Sequence, residues 1–434
     1  MSFLELSMSA NIKSIEGTTV TIEVKVELTG SMLDPENNIL LSLNEAGSLA
    51  TEEALKYFDA DGSKIVFGDV SFSSKGQLPK RYQTPYGELS ALRHVYQNAR
   101  GGKTFCPMEH NARIIVTSTP RFAKMVSNKI ALGATTVVQG DLKDNHGRKV
   151  TRTFLSHLSN AVGSIVQAKE ESWAYETPDF SDEDEITTVS IGLDGTCMLL
   201  CNDSYREAMV GTISLYNKRR DRVHTIYMGA APEYGKELFL QRLEREIAHI
   251  KNLYPKARYV GVADGAEVNW NFLKPHISRE ILDFYHASGY IKDAANAAYP
   301  GSDKKSQQWF IERRHELKHT RGAAKIILEE MKTFTSKKLT KHKLKKLKAA
   351  ITYFTNHAHQ MNYVQYLKDK LPIGSGVTEA ACKTLIKQRL CCSGMKWTER
   401  GAGLVLSLRS LVLTKGRWKQ FWDKLDRHGI PEVA

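Results

Sequence analysis

The sequence predicts an α/β fold: a sheet-and-helix core interrupted by an all-α insertion, preceded by a small β-rich module and a helix-turn-helix. Three observations carry this. Apolar strand runs and an amphipathic helix alternate from Thr187 to His286; residues from about 303 to 370 lose strand signal and become Lys-rich; and residues 11 to 29 alternate apolar and polar side chains.

In chain order, NIKSIEGTTVTIEVKVELT carries Val20, Ile22, Val24 and Val26 at the period of a half-buried strand. Strand-like runs recur at 64–72 and at 89–96, the latter joined across Gly101-Gly102 to 103–106, so residues 1–115 read as a β-rich module. From Thr119 the period becomes helical, with a break at Asn145-His146-Gly147 and a start signal at Thr151. Over 116–168 this gives helix, turn, helix. Arg148, Lys149 and Arg152 stand where a recognition helix would meet DNA, although the same residues fit a plain helical pair with a solvated basic end. Residues 169–186 are acidic, contain Pro178 and read as an exposed linker.

The core is expected over 187–300. TTVSIGLDG ends at Asp194; EAMVGTISLY and RVHTIYMG follow, joined by a basic turn, as a meander. Leu238, Leu240, Leu243, Ile247 and Ile250 then recur at helical intervals, ARYVGVADG ends at Asp264, and WNFLKPHI leads to a short strand, EILDFYH. Three strands, a helix, a strand, a helix and a strand is the RNase H order. Residues 301–371 form the helical insertion, and in the 372–434 segment GSGVTEAACKTLIKQRL opens a helix with Glu379 in its first turns.

Composition narrows the function. A chain of 434 residues supports about two to four units. No apolar run reaches the ~20 residues of a membrane span, and MSFLELSMSANIKSIEG does not look like a secretory signal, so a cytoplasmic home is expected. The six cysteines lack a disulfide or zinc spacing; Cys197 and Cys201 have no second pair, and no zinc site is expected. The net charge of +13 points to a polyanionic partner.

Asp194 and Asp264 each precede Gly at the carboxyl end of an apolar strand, where neighbouring strands of an open sheet form a ligand crevice. Two hard cations about 4 Å apart, held by carboxylate oxygens, serve phosphoryl transfer. Mg²⁺, with Mn²⁺ substituting, is the expected ion. Glu379 is the best third ligand, with Lys383 and Lys387 on the same helical face for flanking phosphates and Arg389 and Lys396 nearby. Glu267 and Asp283 are rivals, and His286 could bind phosphate or assist proton transfer. Each residue has a plainer reading: an Asp before Gly forms turns, a first-turn Glu complements the helix dipole, a His packs, a Lys-rich run over 337–348 is a solvated helix face, and tryptophans anchor cores. Trp397, beside Lys396 and Arg400, could instead stack on an unpaired base.

GLDGT, REAMVGTIS, VADGAEVNW, LDFYHA and PIGSGVTEAACKTLIKQRLCCSGMKW, followed by GAGLVLSLRSL and GRWKQFW, resemble bacterial insertion-sequence transposases of the ISKra type. The resemblance implies an RNase H-like domain with the acidic triad at Asp194, Asp264 and Glu379, and a nucleoid-associated enzyme acting on double-stranded DNA. Such enzymes cut at terminal inverted repeats and join the freed 3′ hydroxyl to target DNA, working as a dimer or larger assembly when two ends are paired. The span Asp283 to His286 resembles a motif found in several transposase superfamilies. Relatives carry a Cys-rich, zinc-ribbon-like hairpin near VYQNARGGKTFCPME, where only Cys106 remains here. An RNase H-like nuclease or resolvase without strand transfer, and a catalytically retired DNA-binding protein, are the competing readings.

Overall fold

A computed structural model describes residues 9–431 except 68, 99–100, 171, 234–235 and 338. The chain divides into two compact units, residues 1–173 with 418–434 and residues 174–417.

The first unit opens with an antiparallel hairpin, β1 (Ala10–Glu16) and β2 (Thr19–Val24), followed by α1 (Leu33–Lys56). This 24-residue helix was not foreseen in a β-rich module. Its sequence is nonetheless rich in Leu, Ala and Glu, and Pro35 lies in the first turn, where its missing N–H costs nothing. Next come β3 (Ile65–Phe67), β4 (Val70–Gln83) and β5 (Glu88–Asn98) as one antiparallel sheet, then α2 (Pro107–Asn111). On α2, Glu109 accepts from Lys80 at 2.8 Å, Arg93 at 3.0 Å and the Tyr82 hydroxyl at 2.6 Å, an ionic clasp beside the Leu55, Tyr82 and Met108 core.

Three helices, not two, follow: α3 (Pro120–Leu132), α4 (Thr135–His146) and α5 (Arg152–Lys169). Gly147 at φ 64° ends α4, and the Arg148 amide reaches back to the Leu142 carbonyl at 2.8 Å, closing the helix end as only a left-handed residue allows. Thr151 caps α5 by accepting from the Phe154 amide at 3.2 Å. Trp173 beyond α5 packs its ring 5.8 Å from Phe421, which belongs to the chain's last helix.

In the second unit the segment expected as an exposed linker is partly packed: Tyr175 is buried beneath the Arg417 guanidinium, and Thr177 hydrogen-bonds the Tyr254 hydroxyl at 2.6 Å. The sheet contains β6 (Ile186–Leu199), β7 (Tyr205–Asn217), β8 (Arg222–Ala230), β9 (Arg258–Ala263) and β10 (Arg279–Leu282) in the order β10-β9-β6-β7-β8. The first three run antiparallel; β9 lies parallel to β6, and β10 parallel to β9. Helix α6 (Glu237–Leu253) and α7 (Glu267–Leu273) supply the connections that parallel strands require.

Side chains alternate across the sheet, so its two faces can be followed residue by residue. Gly211 on β7 is met by Leu243 and Phe239 of α6, whereas its neighbour Thr212 hydrogen-bonds Thr378 on the other side at 2.8 Å. Phe239, Leu243, Ile247 and Ile250 of α6 join the larger core. The EILDFYH segment is a strand only as far as Leu282: Asp283 caps α8 (Phe284–Ala298), because its carboxylate accepts from the His286 amide at 2.8 Å.

The insertion comprises α9 (Asp303–His319), α10 (Ala323–Thr333), α11 (Lys341–His357) and α12 (Tyr363–Lys368), which join α8 around Trp309, Phe334, Leu347 and Phe354. The Lys-rich run is an amphipathic start to α11, with Leu347 buried and Lys341, Lys345, Lys346 and Lys348 exposed; Lys338 lies outside the described residues. Then α13 (Gly376–Ala381) passes through a π-helical stretch, Cys382–Lys387, into α14 (Gln388–Leu390), followed by α15 (Glu399–Leu413) and α16 (Arg417–His428). The wider π turn leaves carbonyls to satisfy, and the buried Arg409 of α15 donates to those of Leu385 and Thr384.

Candidate active site

Asp194 does not end its strand. The apolar run stops there, but β6 continues to Leu199 because β7 pairs with it throughout, with Asp194 opposite Val210. What ends before Asp194 is the parallel ladder to β9, whose last register pair is Ile191 with Gly261. Asp194 therefore sits where β6 parts from β9, whose own end leads directly into Asp264.

Strand alternation fixes its direction. Gly192, two residues earlier, lies so close to α13 that an added Cβ would stand 2.0 Å from Thr378 Oγ1. Asp194 shares that face, and Glu379 is the next residue along α13. Cys382, three residues beyond Glu379, donates its thiol to Asp194 Oδ2 at 3.5 Å, and the Gly195 amide donates to Oδ1 at 2.7 Å. Asn269 of α7 fixes the Leu193 carbonyl at 3.1 Å. Burial raises the Asp194 carboxyl above the usual carboxylate range, and the negative charges of Asp264 and Glu379 add to that rise. The Cys382 thiol is held protonated by burial and by Asp194.

Asp264 is half-buried; its carbonyl accepts from the Tyr353 hydroxyl of α11 at 2.6 Å, and its carboxylate accepts from the Ala266 amide at 3.2 Å. Gly265 follows at φ 108°, with Tyr353 and His357 within 3.2 Å of any added Cβ, so both conformation and space call for glycine.

Among the described residues, the one trio of potential ligands whose donor atoms all lie within 4.8 Å is Asp283, His286 and Glu379, rather than Asp194, Asp264 and Glu379. Glu379 faces His286 Nδ1 at 3.5 Å. Glu379, about half exposed, is thus turned toward an imidazole, while its charge is still felt at Asp194. Asp283, expected as a rival ligand and catalytic group, is fully buried, with its oxygens engaged by His286 and Ser375. It works as a cap and clasp. Glu267, the other rival, is exposed in the first turn of α7. Glu379 and His286, each about half exposed, open with Tyr285, Tyr290, Gly289 and Asp293 onto a cleft of about 490 Å³.

The expected DNA-contacting residues divide. Lys149 and Arg152 are exposed on a groove of about 660 Å³ at the start of α5, with Lys143 also on its wall. Arg148 departs from the expectation: it is buried, donates to the Thr84 carbonyl at 3.0 Å and to Gln83 Oε1 at 2.6 Å, and covers the Phe122 ring. Lys383, Lys387 and Lys396 are exposed, although the π turn breaks the α-helical phase that would align Lys387 with Glu379. Arg389 departs from the expectation, being buried over the ring of half-buried Trp397, whose indole N–H donates to the Leu390 carbonyl at 2.9 Å. Trp270, Trp309 and Trp422 are core anchors.

Sequence reading passed over Cys382, Ser375, Asn269 and Tyr353; of these, only Ser375, a polar residue just before a helix, carried a local signal.

Set against known proteins, the chain matches no family model and no curated protein. Among solved structures, it is similar to a foamy viral protease-reverse transcriptase in complex with RNA/DNA hybrid, at 10% identity and a TM-score of 0.17. The match covers 70% of this chain and 39% of that one, so the chain spans well under half of that protein's length. A likeness this slight carries no argument. What the chain itself presents is an α/β unit with an acidic site beside a mixed sheet. Among the described residues no helix is long and apolar enough to cross a membrane.

Proposed function

We propose that the second unit is an RNase H-like phosphoryl-transfer domain, with Asp194, Asp264 and Glu379 as its ligands for Mg²⁺ or Mn²⁺. More particularly, the chain is an insertion-sequence transposase of the ISKra type. It binds terminal inverted repeats, cuts them and joins their 3′ ends to target double-stranded DNA, in a complex of at least two copies on the nucleoid.

The observation that carries this reading is the placement of three acids from separate elements: Asp194 where β6 parts from β9, Asp264 directly after the end of β9, and Glu379 on α13, the helix whose continuation sets the Cys382 thiol on Asp194. Burial, and after it the charges of Asp264 and Glu379, push the Asp194 carboxyl upward, a tension that a bound cation would relieve. The strand order β10-β9-β6-β7-β8 supports the RNase H-like assignment. The donor set fits a hard ion: all three ligands offer oxygen, and the nearby Cys382 is held as a thiol, which disfavours zinc. Bound divalent ions would activate the attacking oxygen and stabilise the leaving one.

The chain's own groups do the rest. Asp194 is steadied by the Gly195 amide and Cys382; Glu379 is held beside His286 and the Ser375 hydroxyl; His286 Nδ1 stands at the cleft to hold or pass a proton. Exposed Lys383 and Lys387, and in the first unit Lys149 and Arg152, offer charge to DNA phosphates.

Purified protein is incubated with labelled element ends, target DNA and Mg²⁺ or Mn²⁺. Nicking at the ends and a joined product are expected, and Asp194→Ala, Asp264→Ala or Glu379→Ala each abolishes both while end binding persists. Bound ends that neither ion allows to be cut overturn the proposal; cutting without any joined product favours a nuclease.

A further inference from the structure

Asp283 and Ser375 meet Glu379 in a way its cap role alone does not require. Asp283 Oδ1 accepts from the His286 amide, while Oδ2 accepts from both the backbone N–H and the hydroxyl of Ser375. The same Ser375 hydroxyl oxygen lies 3.1 Å from Glu379 Oε1. A serine hydroxyl has one proton to donate, so two carboxylates compete for it. The Ser375 N–H and the His286 N–H remain on Asp283 whichever way that proton points, so both of its buried oxygens always keep a donor. Turning the hydroxyl toward Glu379 is therefore inexpensive.

The backbone holds the spacing fixed. Phe284 N–H donates to the Ile373 carbonyl at 2.9 Å, tying the start of α8 to the segment before α13, and Glu379 N–H donates to the Ser375 carbonyl at 3.0 Å. On its opposite side α13 is pinned by Thr378 to Thr212 of β7.

We infer that Ser375 and Asp283 form a positioning pair for Glu379: the buried carboxylate aims the hydroxyl, and the hydroxyl orients Glu379 between its turn toward His286 and its turn toward a bound divalent ion. This rests on the metal-ligand role proposed above. Ser375 touches no reacting atom, and its effect is felt through Glu379.

The test is calorimetric titration of the full chain with Mn²⁺, alongside nicking at graded Mn²⁺. Removing an outer partner of a metal ligand typically costs about 10- to 100-fold in affinity or activity, so Ser375→Ala is expected to weaken Mn²⁺ binding at least about tenfold. Its melting temperature falls by a few degrees, because the hydroxyl's bond to buried Asp283 is lost, while end binding stays at the wild-type value; Ser375→Thr, which keeps the hydroxyl, restores Mn²⁺ affinity. In a Glu379→Gln background Ser375→Ala adds no further loss, since the pair then has nothing to orient. If Ser375→Ala does not fold, Ser375→Cys replaces it, with an affinity expected below that of Ser375→Thr.

Wild-type Mn²⁺ affinity in Ser375→Ala, equal affinities for Ser375→Cys and Ser375→Thr, or the same loss with and without Glu379→Gln overturns the inference and leaves the transposase reading standing. Wild-type protein that neither takes up Mn²⁺ nor nicks overturns both.

Discussion

Gly192→Ala tests whether the contact between β6 and α13 is as tight as the backbone implies. The new methyl would stand 2.0 Å from Thr378 Oγ1 and 2.9 Å from Thr212 Oγ1, distances no packed carbon tolerates, so α13 must move or the Thr212–Thr378 hydrogen bond must break. Overpacking costs about 1–3 kcal/mol, and a lost buried hydrogen bond about 1 kcal/mol more, for a total of roughly 2–4 kcal/mol. For a unit of this size, roughly 2–4 °C per kcal/mol gives a fall in Tm of about 4–16 °C. Because Glu379 follows Thr378, cleavage should fall further than stability alone accounts for. Scanning calorimetry and Mg²⁺-dependent nicking of the same preparation measure the two effects. Gly140→Ala in α4 serves as the control, since nothing lies within 4 Å of its added Cβ. Gly192→Ala combined with Thr378→Ala should recover part of the lost Tm, because the nearest obstructing atom is gone. A Gly192→Ala protein that melts within about 1 °C of wild type and cuts normally would refute the proposed geometry, given the expected overpacking cost.

Three further outcomes follow from other parts of the molecule. Asp194→Asn should raise the metal-free Tm at neutral pH while abolishing cleavage: a carboxyl whose folded pKa is raised loses stability as pH climbs past its unfolded value, and the amide removes that loss. Unchanged melting would show that neither burial nor the neighbouring acids penalise the Asp194 charge. His224 behaves in the opposite sense; burial, then Arg417 and Lys415, lower it from 6.5 to about 4, so the stability of its neutral form is complete above pH 6.5 and is lost as pH falls toward 4. That window amounts to about 3 kcal/mol at most, and His224→Gln should narrow the Tm difference between pH 7 and pH 4.5, as read by circular dichroism. Finally, Arg148→Ala should lower Tm by removing a buried donor, whereas Lys149→Ala and Arg152→Ala should leave Tm unchanged and each flatten the salt dependence of end binding by about 0.9 in slope; equal behaviour of all three would contradict the burial of Arg148.

Much of the second unit was legible because its strands are apolar runs closed by turns, a pattern local enough to read. The strand runs expected between residues 187 and 282 all pair in the sheet, and the insertion is helical. The errors share a cause: they depend on partners far away in sequence. Arg148 looked solvent-facing because its acceptors, Thr84 and Gln83, are 64 and 65 residues away. Asp194 looked like a strand end because β6's antiparallel partner, which carries the strand past it, leaves no mark on β6 itself. That Asp283 is a buried cap could not be read locally either, because a buried cap and an exposed acid are the same letter. The π stretch has no composition signal, since its cost is met by Arg409 from the next helix. In the first unit, α1 was hidden by the strands around it although its residues favour helix. Of the site, the sequence disclosed which acids stand near turns and helix starts; how Glu379 divides its attention between His286 and the aspartates is a matter of charge in space.

The return of residues 418–434 to the first unit makes that unit depend on both extremes of the chain as given. During synthesis residues 9–173 leave the ribosome early but must wait, with Trp173 lacking Phe421, until everything between has emerged. A chain cut short between Arg417 and Phe421 would thus have its second unit whole and its first unit unfinished. Order of manufacture here sets order of completion: the first unit closes only when α16 arrives.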